Sequence, residues 1–320
     1  MAMHASADLI VDRRRLRRQV TFWRVLAILV LVGAIIAAGL VFGRGGLGGA
    51  QPHIARIRIE GLITGSQTTF DLLRRTEESG ARAVILRINS GGGTTAGSEA
   101  LYNEVRRLAQ KKPVVAVIEG IGASGAYMTA LGAERIFANG SALVGSIGVI
   151  AQIPNVAKLL ETLGVKVEAV RSTPLKAMPN GIEPTTPEAR AALEETVLDT
   201  YRWFRALVGE RRRLEGEALA LVTDGRVFTG RQAITLRLVD ALGGEQEAIA
   251  WLETEKGLPK GLRVRAYAPD DSLRRLSGFR ALLGLLGFEA EAAGLGAAAR
   301  AALGADALDG LVSVWHPARQ

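Results

Sequence analysis

Residues 114–127 read VVAVIEGIGASGAY. An unbroken Val/Ala/Ile run of strand length stops at Gly120 and Gly122, and Ser124 then opens a segment of small residues suited to a helix that starts on a tight turn. Working outward, Ala83–Asn89 (AVILRIN) is a second buried strand that runs into Ser90-Gly91-Gly92-Gly93. It precedes a helix over Ser98–Leu108 with Leu101, Val105 and Leu108 on one face. Ile54–Glu60 (IARIRIE) alternates like a strand and Phe70–Glu78 reads as helix. Downstream, Arg135–Ala138, Leu143–Ile153 and residues 262–268 are further strand candidates. Thr186-Pro187 opens a longer helix, an N-cap followed by proline at the first helical position, with Leu193, Val197, Tyr201, Phe204 and Val208 at helical spacing. Strands alternating with helices over short links predict an α/β layer fold with a mostly parallel sheet.

The chain's 320 residues are 48% hydrophobic but only 5% aromatic, so a sizeable core must be built from Val, Ile, Leu and Ala. The formal charge of +8 invites a nucleic-acid reading, but half of it sits in residues 1–24, where six arginines face Asp8 and Asp12. The remainder is spread without aromatic interleaving, so no nucleic-acid partner is expected. With no cysteine, disulfides and thiol chemistry are excluded. The only histidines are His4, His53 and His316, and no metal-ligand spacing is present, so no metal site is expected.

Val25–Phe42 is an uncharged apolar run whose 18 residues reach about 27 Å as a helix, close to the hydrocarbon thickness of a bilayer. The arginines before it predict a cytoplasmic N-terminus and a remaining chain outside the cytoplasm, on the periplasmic side of the inner membrane. A cleaved signal peptide ending near Gly48-Gly49-Ala50 is the competing reading. The expected organisation is a basic arm (1–24), a transmembrane anchor (25–42), a linker (43–52), a catalytic domain (53–270) and an Ala/Gly/Leu-rich extension (271–320). In that extension Phe279, Leu282, Leu283 and Leu286 suggest an amphipathic helix.

Three segments carry candidate chemistry, and each also has a plainer reading. The glycines after Asn89-Ser90 let backbone N–H groups approach an anion or oxyanion, or form a tight turn. Ser124, among small neighbours at a helix start, suits an exposed nucleophile, or a small residue in a crowded turn. Lys176 lies in Pro174-Leu175-Lys176-Ala177-Met178-Pro179 and is one of only seven lysines. A lysine shielded from water can act as a general base, which arginine cannot; a solvated surface lysine cannot serve either. No histidine lies near these segments, so a hydrolase here would have to use a lysine or a carboxylate to deprotonate its nucleophile.

Taken in order, these motifs resemble the signal peptide peptidase A family of bacterial serine peptidases, whose fold is related to the Clp protease and to crotonases. The resemblance runs over roughly residues 54–270. It rests on Arg87–Gly93 (RINSGGG), Gly122–Tyr127, Val144–Val149 (VGSIGV), Pro174–Met178 and Asp224–Gly244. Gly91 stands where the family usually has proline, and Arg237 where glycine is common. The resemblance implies a repeated ββα superhelix and a Ser-Lys dyad with Ser124 as nucleophile and Lys176 as base. Ser146 would orient Lys176, and the N–H groups of Gly92 and Gly125 would form the oxyanion hole, with Gly93 a lesser contributor. It implies no cofactor. Hydrophobic, membrane-proximal peptides such as cleaved signal peptides would be the substrates. It also implies a dome-shaped homo-oligomer, an octamer among the forms considered, in which serine and lysine come from neighbouring copies. Two alternatives stand beside it: a crotonase-type enzyme acting on acyl-thioesters, and a non-catalytic membrane scaffold.

Overall fold

The computed structural model describes residues 19–20, 22–32, 51–268 and 312–314. The chain divides into two compact units, Met1–Gln51 and Pro52–Gln320. In the first, residues 22–32 form helix α1, whose side chains are exposed. The expected anchor at 25–42 is described only as far as residue 32, and no helix among the described residues is long and apolar enough to cross a membrane. The helix expected near Phe279–Leu286 lies outside the described residues.

The second unit is an α/β layer structure. Its centre is three parallel strands, β1 (His53–Ile63), β2 (Ala81–Thr94) and β3 (Val114–Ala123), in register through Ile59, Ile88 and Ile118. β8 (Val264–Tyr267) joins the start of β1, again parallel. β3 then divides its neighbours. Its first half pairs with β4 (Arg135–Ala138), which carries β7 (Ala241–Leu242), and its last residues pair with β5 (Leu143–Gly145). Two short strands run antiparallel: β6 (Val227–Thr229) on β5, and β9 (Val312–Val314) on the last residues of β2. Parallel pairing dominates, as the alternation of elements predicts.

The helices are α2 (Gln67–Glu78), α3 (Thr95–Ala109), α4 (Gly125–Ala130), α5 (Ala157–Thr162), α6 (Pro187–Arg212), α7 (Gly216–Val222), α8 (Gly230–Thr235) and α9 (Glu245–Glu255). Both faces of the central strands are covered, and successive side chains divide between them. Val84, Leu86 and Ile88 of β2 pack with Leu73, Leu108 and Phe204 on one side. Ala83 and Ile85 pack with Ala248 and Leu252 of α9 on the other. Each fully buried Ile or Leu contributes about 1.5–3 kcal/mol relative to exposure. α3 begins as its sequence dictates, with Thr94 Oγ1 accepting the Gly97 N–H at 3.0 Å, and buries Leu101, Val105 and Leu108. α6 begins at the expected Thr186-Pro187 cap. Its stripe is buried only from Phe204 onward, however; Leu193, Val197 and Tyr201 are half-exposed.

Three expectations need correction. The strand expected over 143–153 ends at Gly145, because Gly145 (φ 97°) and Ser146 (φ 50°) turn the backbone into the left-handed region. The glycines after Ser90 do not form a turn; β2 runs through them to Thr94, with Gly92 at φ 110°, a conformation that suits glycine. His53 belongs to β1, not to a linker, and its buried Nε2 shares a hydrogen bond with the Tyr267 hydroxyl at 2.8 Å.

Candidate active site

Ser124 follows the carboxyl end of β3 and is 1% exposed. Its backbone sits at φ 57°, ψ −122°, outside the regions a residue with a side chain ordinarily occupies. Such a conformation costs on the order of 1–3 kcal/mol and persists only where surrounding contacts impose it. Here the Ser124 N–H donates to the Gly145 carbonyl at 2.7 Å. Ser146, just past the end of β5, also has positive φ and is buried, and its N–H donates to the Arg226 carbonyl at 2.8 Å. These bonds set Ser124 and Ser146 side by side at adjacent strand ends.

The glycine segment of β2 closes the other side. Ser90 pairs with Gly122, and Gly93 continues beside the end of β1. A Cβ placed on Gly125 would lie 3.2 Å from the Gly93 nitrogen and 2.1 Å from Ser98 Oγ, so no side chain fits there. Gly125 is the first residue of α4, so its N–H has no acceptor within the helix. The Gly92 N–H donates to Ser90 Oγ at 3.1 Å, and Ser90 Oγ donates to the Gly61 carbonyl at 2.6 Å. Gly92 is thereby engaged, while the Gly93 amide packs against Gly125. Gly91 is not among the glycines of positive φ.

Four of the expected site residues, Ser124, Gly125, Ser146 and Gly92, are brought together in this way. Lys176 is not. It lies exposed in the loop between α5 and α6, where its N–H donates to the Thr173 carbonyl at 3.1 Å; among the described residues no hydrogen bond joins it to Ser124. The loop is braced by ion pairing of Arg171 with Glu183 and by Asn180 on the same carboxylate. The Arg171 guanidinium, then the Asn180 amide, hold Glu183 below the usual carboxylate range. The arm from residue 150 to 182 also exposes Ile150, Leu159, Leu163, Val165, Val170 and Leu175.

His53 is remote from this site. It precedes Ile59 by six residues in β1, while Ser124 follows Ile118 by six in β3, and Ile59, Ile88 and Ile118 are in register. At about 3.3 Å per strand residue, the separation along the sheet is on the order of 30–40 Å. Behind the site Tyr127 is fully buried. Its hydroxyl donates to the Leu238 carbonyl at 2.7 Å, and burial pushes the phenol above its ordinary range.

The sequence reading passed over Ser98, in the first turn of α3, which is 0% exposed and faces Gly125. The signal available was its position on the apolar stripe that continues through Leu101, Val105 and Leu108.

Comparison with known proteins follows the same segments. Peptidase family S49 matches residues 106–259. A Synechocystis protein named as a candidate protease is 36% identical over 232 residues, covering 71% of this chain and 84% of the relative. The chloroplastic serine protease SPPA of Arabidopsis thaliana is 32% identical over 234 residues, covering 68% of this chain but 35% of that protein. Protease 4 of Salmonella typhi is 32% identical over 188 residues, 58% of this chain and 30% of the relative. Among solved structures, a membrane-bound stomatin-specific protease aligns over 69% of this chain and all of its own, at 14% identity and a TM-score of 0.42. The long match to the Synechocystis relative, which spans most of both chains, shows that this chain belongs to peptidase family S49, the signal peptide peptidase A family.

Proposed function

We propose that the chain is a serine endopeptidase working by a Ser-Lys dyad, with Ser124 as nucleophile and Lys176 as general base. The observation that carries this reading is the backbone of Ser124. A serine held at positive φ at a strand-to-helix junction, between a glycine strand and Ser146, has the backbone of a nucleophile elbow, although its 1% exposure differs from the exposed hydroxyl that the sequence leads one to expect. Lys176 Nζ, arriving uncharged, takes the proton from Ser124 Oγ as the Oγ–C bond to the peptide carbonyl forms. The carbonyl oxygen becomes an oxyanion held by the N–H of Gly125 and an amide of the Gly92–Gly93 segment. The packing of Gly93 on Gly125, with Gly92 already bonded, favours Gly93 for that second amide. The proton passes from Lys176 to the leaving amine as the C–N bond breaks. Water then attacks the acyl-enzyme by the same route, releasing the acid and restoring Ser124. Ser146 orients the amine.

Extended peptide is the substrate class that suits the β2 edge. β9 already lies antiparallel on Gly92–Thr94, so that edge accepts a strand through main-chain bonds. Apolar segments near a membrane are the proposed substrates, with the run at 25–42 holding the chain at the inner membrane and the catalytic unit on its periplasmic side. The finer fold reading belongs here too: the division of β3 between β4 and β5 is compatible with the ββα superhelix of Clp-like and crotonase-like proteins.

Because Lys176 is exposed on an arm rich in exposed apolar side chains, we place it opposite Ser124 of a second copy in a homo-oligomer, whose packing would remove both arm and amine from water. Ser124→Ala and Lys176→Ala are expected to lower kcat/KM on an apolar peptide by at least about 10³-fold with folding intact. Lys176→Arg should not rescue, since a guanidinium does not deprotonate. Cleavage retained by either alanine variant would defeat the mechanism.

A further inference from the structure

Buried hydroxyls are almost always hydrogen-bonded, and an exception inside a candidate site calls for a reason, of which a catalytic role is one. Ser98 is such an exception. It is 0% exposed, and among the described residues its Oγ has no hydrogen-bond partner. A serine in a first helical turn ordinarily satisfies itself on a backbone carbonyl one turn earlier, as Thr129 does on Gly125 at 3.0 Å. Ser98 instead directs its hydroxyl toward the glycines that line the site. Its Oγ lies 2.1 Å from where a Cβ on Gly125 would stand, and the Gly93 nitrogen lies 3.2 Å from that same point. One small region next to the nucleophile thus gathers the amide of Gly93, the amide at the start of α4, which has no acceptor within its own helix, and a buried hydroxyl with no partner among the described residues.

We propose that Ser98 is a third donor to the oxyanion hole, a catalytic residue whose acceptor is the substrate carbonyl oxygen as it becomes negatively charged. The inference rests on the peptidase reading above and adds a side chain to a hole otherwise made of backbone. Chemically, three donors suit an oxygen that gains full charge and a third lone pair in the tetrahedral state, whereas a ground-state carbonyl accepts two comfortably. The hydroxyl therefore serves the transition state more than the bound substrate. No proton changes owner at Ser98; it donates a hydrogen bond and keeps its hydrogen.

The test is Ser98→Ala, with Ser98→Cys as a second variant of weaker donor strength, assayed on an apolar peptide beside the wild type and Ser124→Ala. A fluorophosphonate that labels the nucleophile, taken to its end point, counts the folded sites. The expected result for Ser98→Ala is a kcat lowered at least 10-fold per labelled site, toward the roughly 10²–10³-fold typical of losing one oxyanion donor, with KM within about twofold. Binding of a peptide boronate, which mimics the tetrahedral state, should weaken by a similar factor, and Ser98→Cys should fall between. The melting temperature should hold, because the substitution breaks no hydrogen bond to the described residues. A kcat within twofold of wild type would overturn the proposal and leave Ser98 as a hydroxyl solvated by an ordered water. A lowered melting temperature with unchanged kcat per labelled site would overturn it in favour of a purely structural role. If Ser124→Ala also keeps activity, the peptidase reading itself fails and takes this inference with it.

Discussion

At the residue scale, left-handed backbone marks two different things. At Ser124 and Ser146 it belongs to the site, where hydrogen bonds from neighbouring strands impose it. At Arg237 (φ 59°) it belongs to a helix end. The Leu238 N–H donates to the Ala233 carbonyl at 2.8 Å and the Arg237 N–H to the Ile234 carbonyl at 3.1 Å, the paired bonds of a Schellman motif closing α8. The residue at this position is most comfortable as glycine, the type that the family resemblance leads one to expect there. Arg237→Gly is therefore expected to stabilise the fold by about 0.5–1 kcal/mol in urea unfolding without changing activity. A loss of stability would show that the arginine side chain matters more than its backbone.

At the element scale, the lysine loop is held in shape by Glu183, which draws together Arg171 and Asn180. Because its folded value is depressed, the stabilisation is present above the ordinary glutamate value of 4.5 and is lost as pH falls through the lower, folded value. The loop between residues 171 and 183 should thus keep its amide-exchange protection at neutral pH and lose it only as pH falls below the ordinary glutamate value of 4.5. Glu183→Gln should remove that dependence. An unchanged acid profile in Glu183→Gln would mean the carboxylate does not brace the loop. The strands behave differently from this loop. Val84, Ile85 and Leu86 alternate between two covered faces, so β2 is legible from its own residues. Its continuation through Gly91-Gly92-Gly93 is not, because glycines carry no pattern and their extension is imposed by pairing with the end of β1.

At the scale of the whole molecule, the two halves of the proposed dyad differ in setting: Ser124 is buried and Lys176 exposed. If neighbouring copies complete each other's sites, mixing Ser124→Ala with Lys176→Ala protein and allowing subunits to exchange should restore activity. Random assembly would give about a quarter of the sites both groups in a ring of heterologous interfaces. A mixture as inactive as its components, with exchange demonstrated, would place serine and lysine in one chain.

What the sequence alone determined was local: the alternation of apolar strands with amphipathic helices, the Thr186-Pro187 helix start, the small residues around Ser124, and a chain with only three histidines. These follow from periodicity and side-chain chemistry within a few residues, and they also carried the family. Tertiary structure decided the left-handed backbone of Ser124 and Ser146, the placing of Gly93 against Gly125, the strand passing through the glycine run and the hydroxyl of Ser98 turned toward them. Each of those depends on atoms from strands and helices distant in sequence meeting at one end of the sheet, and no short-range pattern encodes such a meeting.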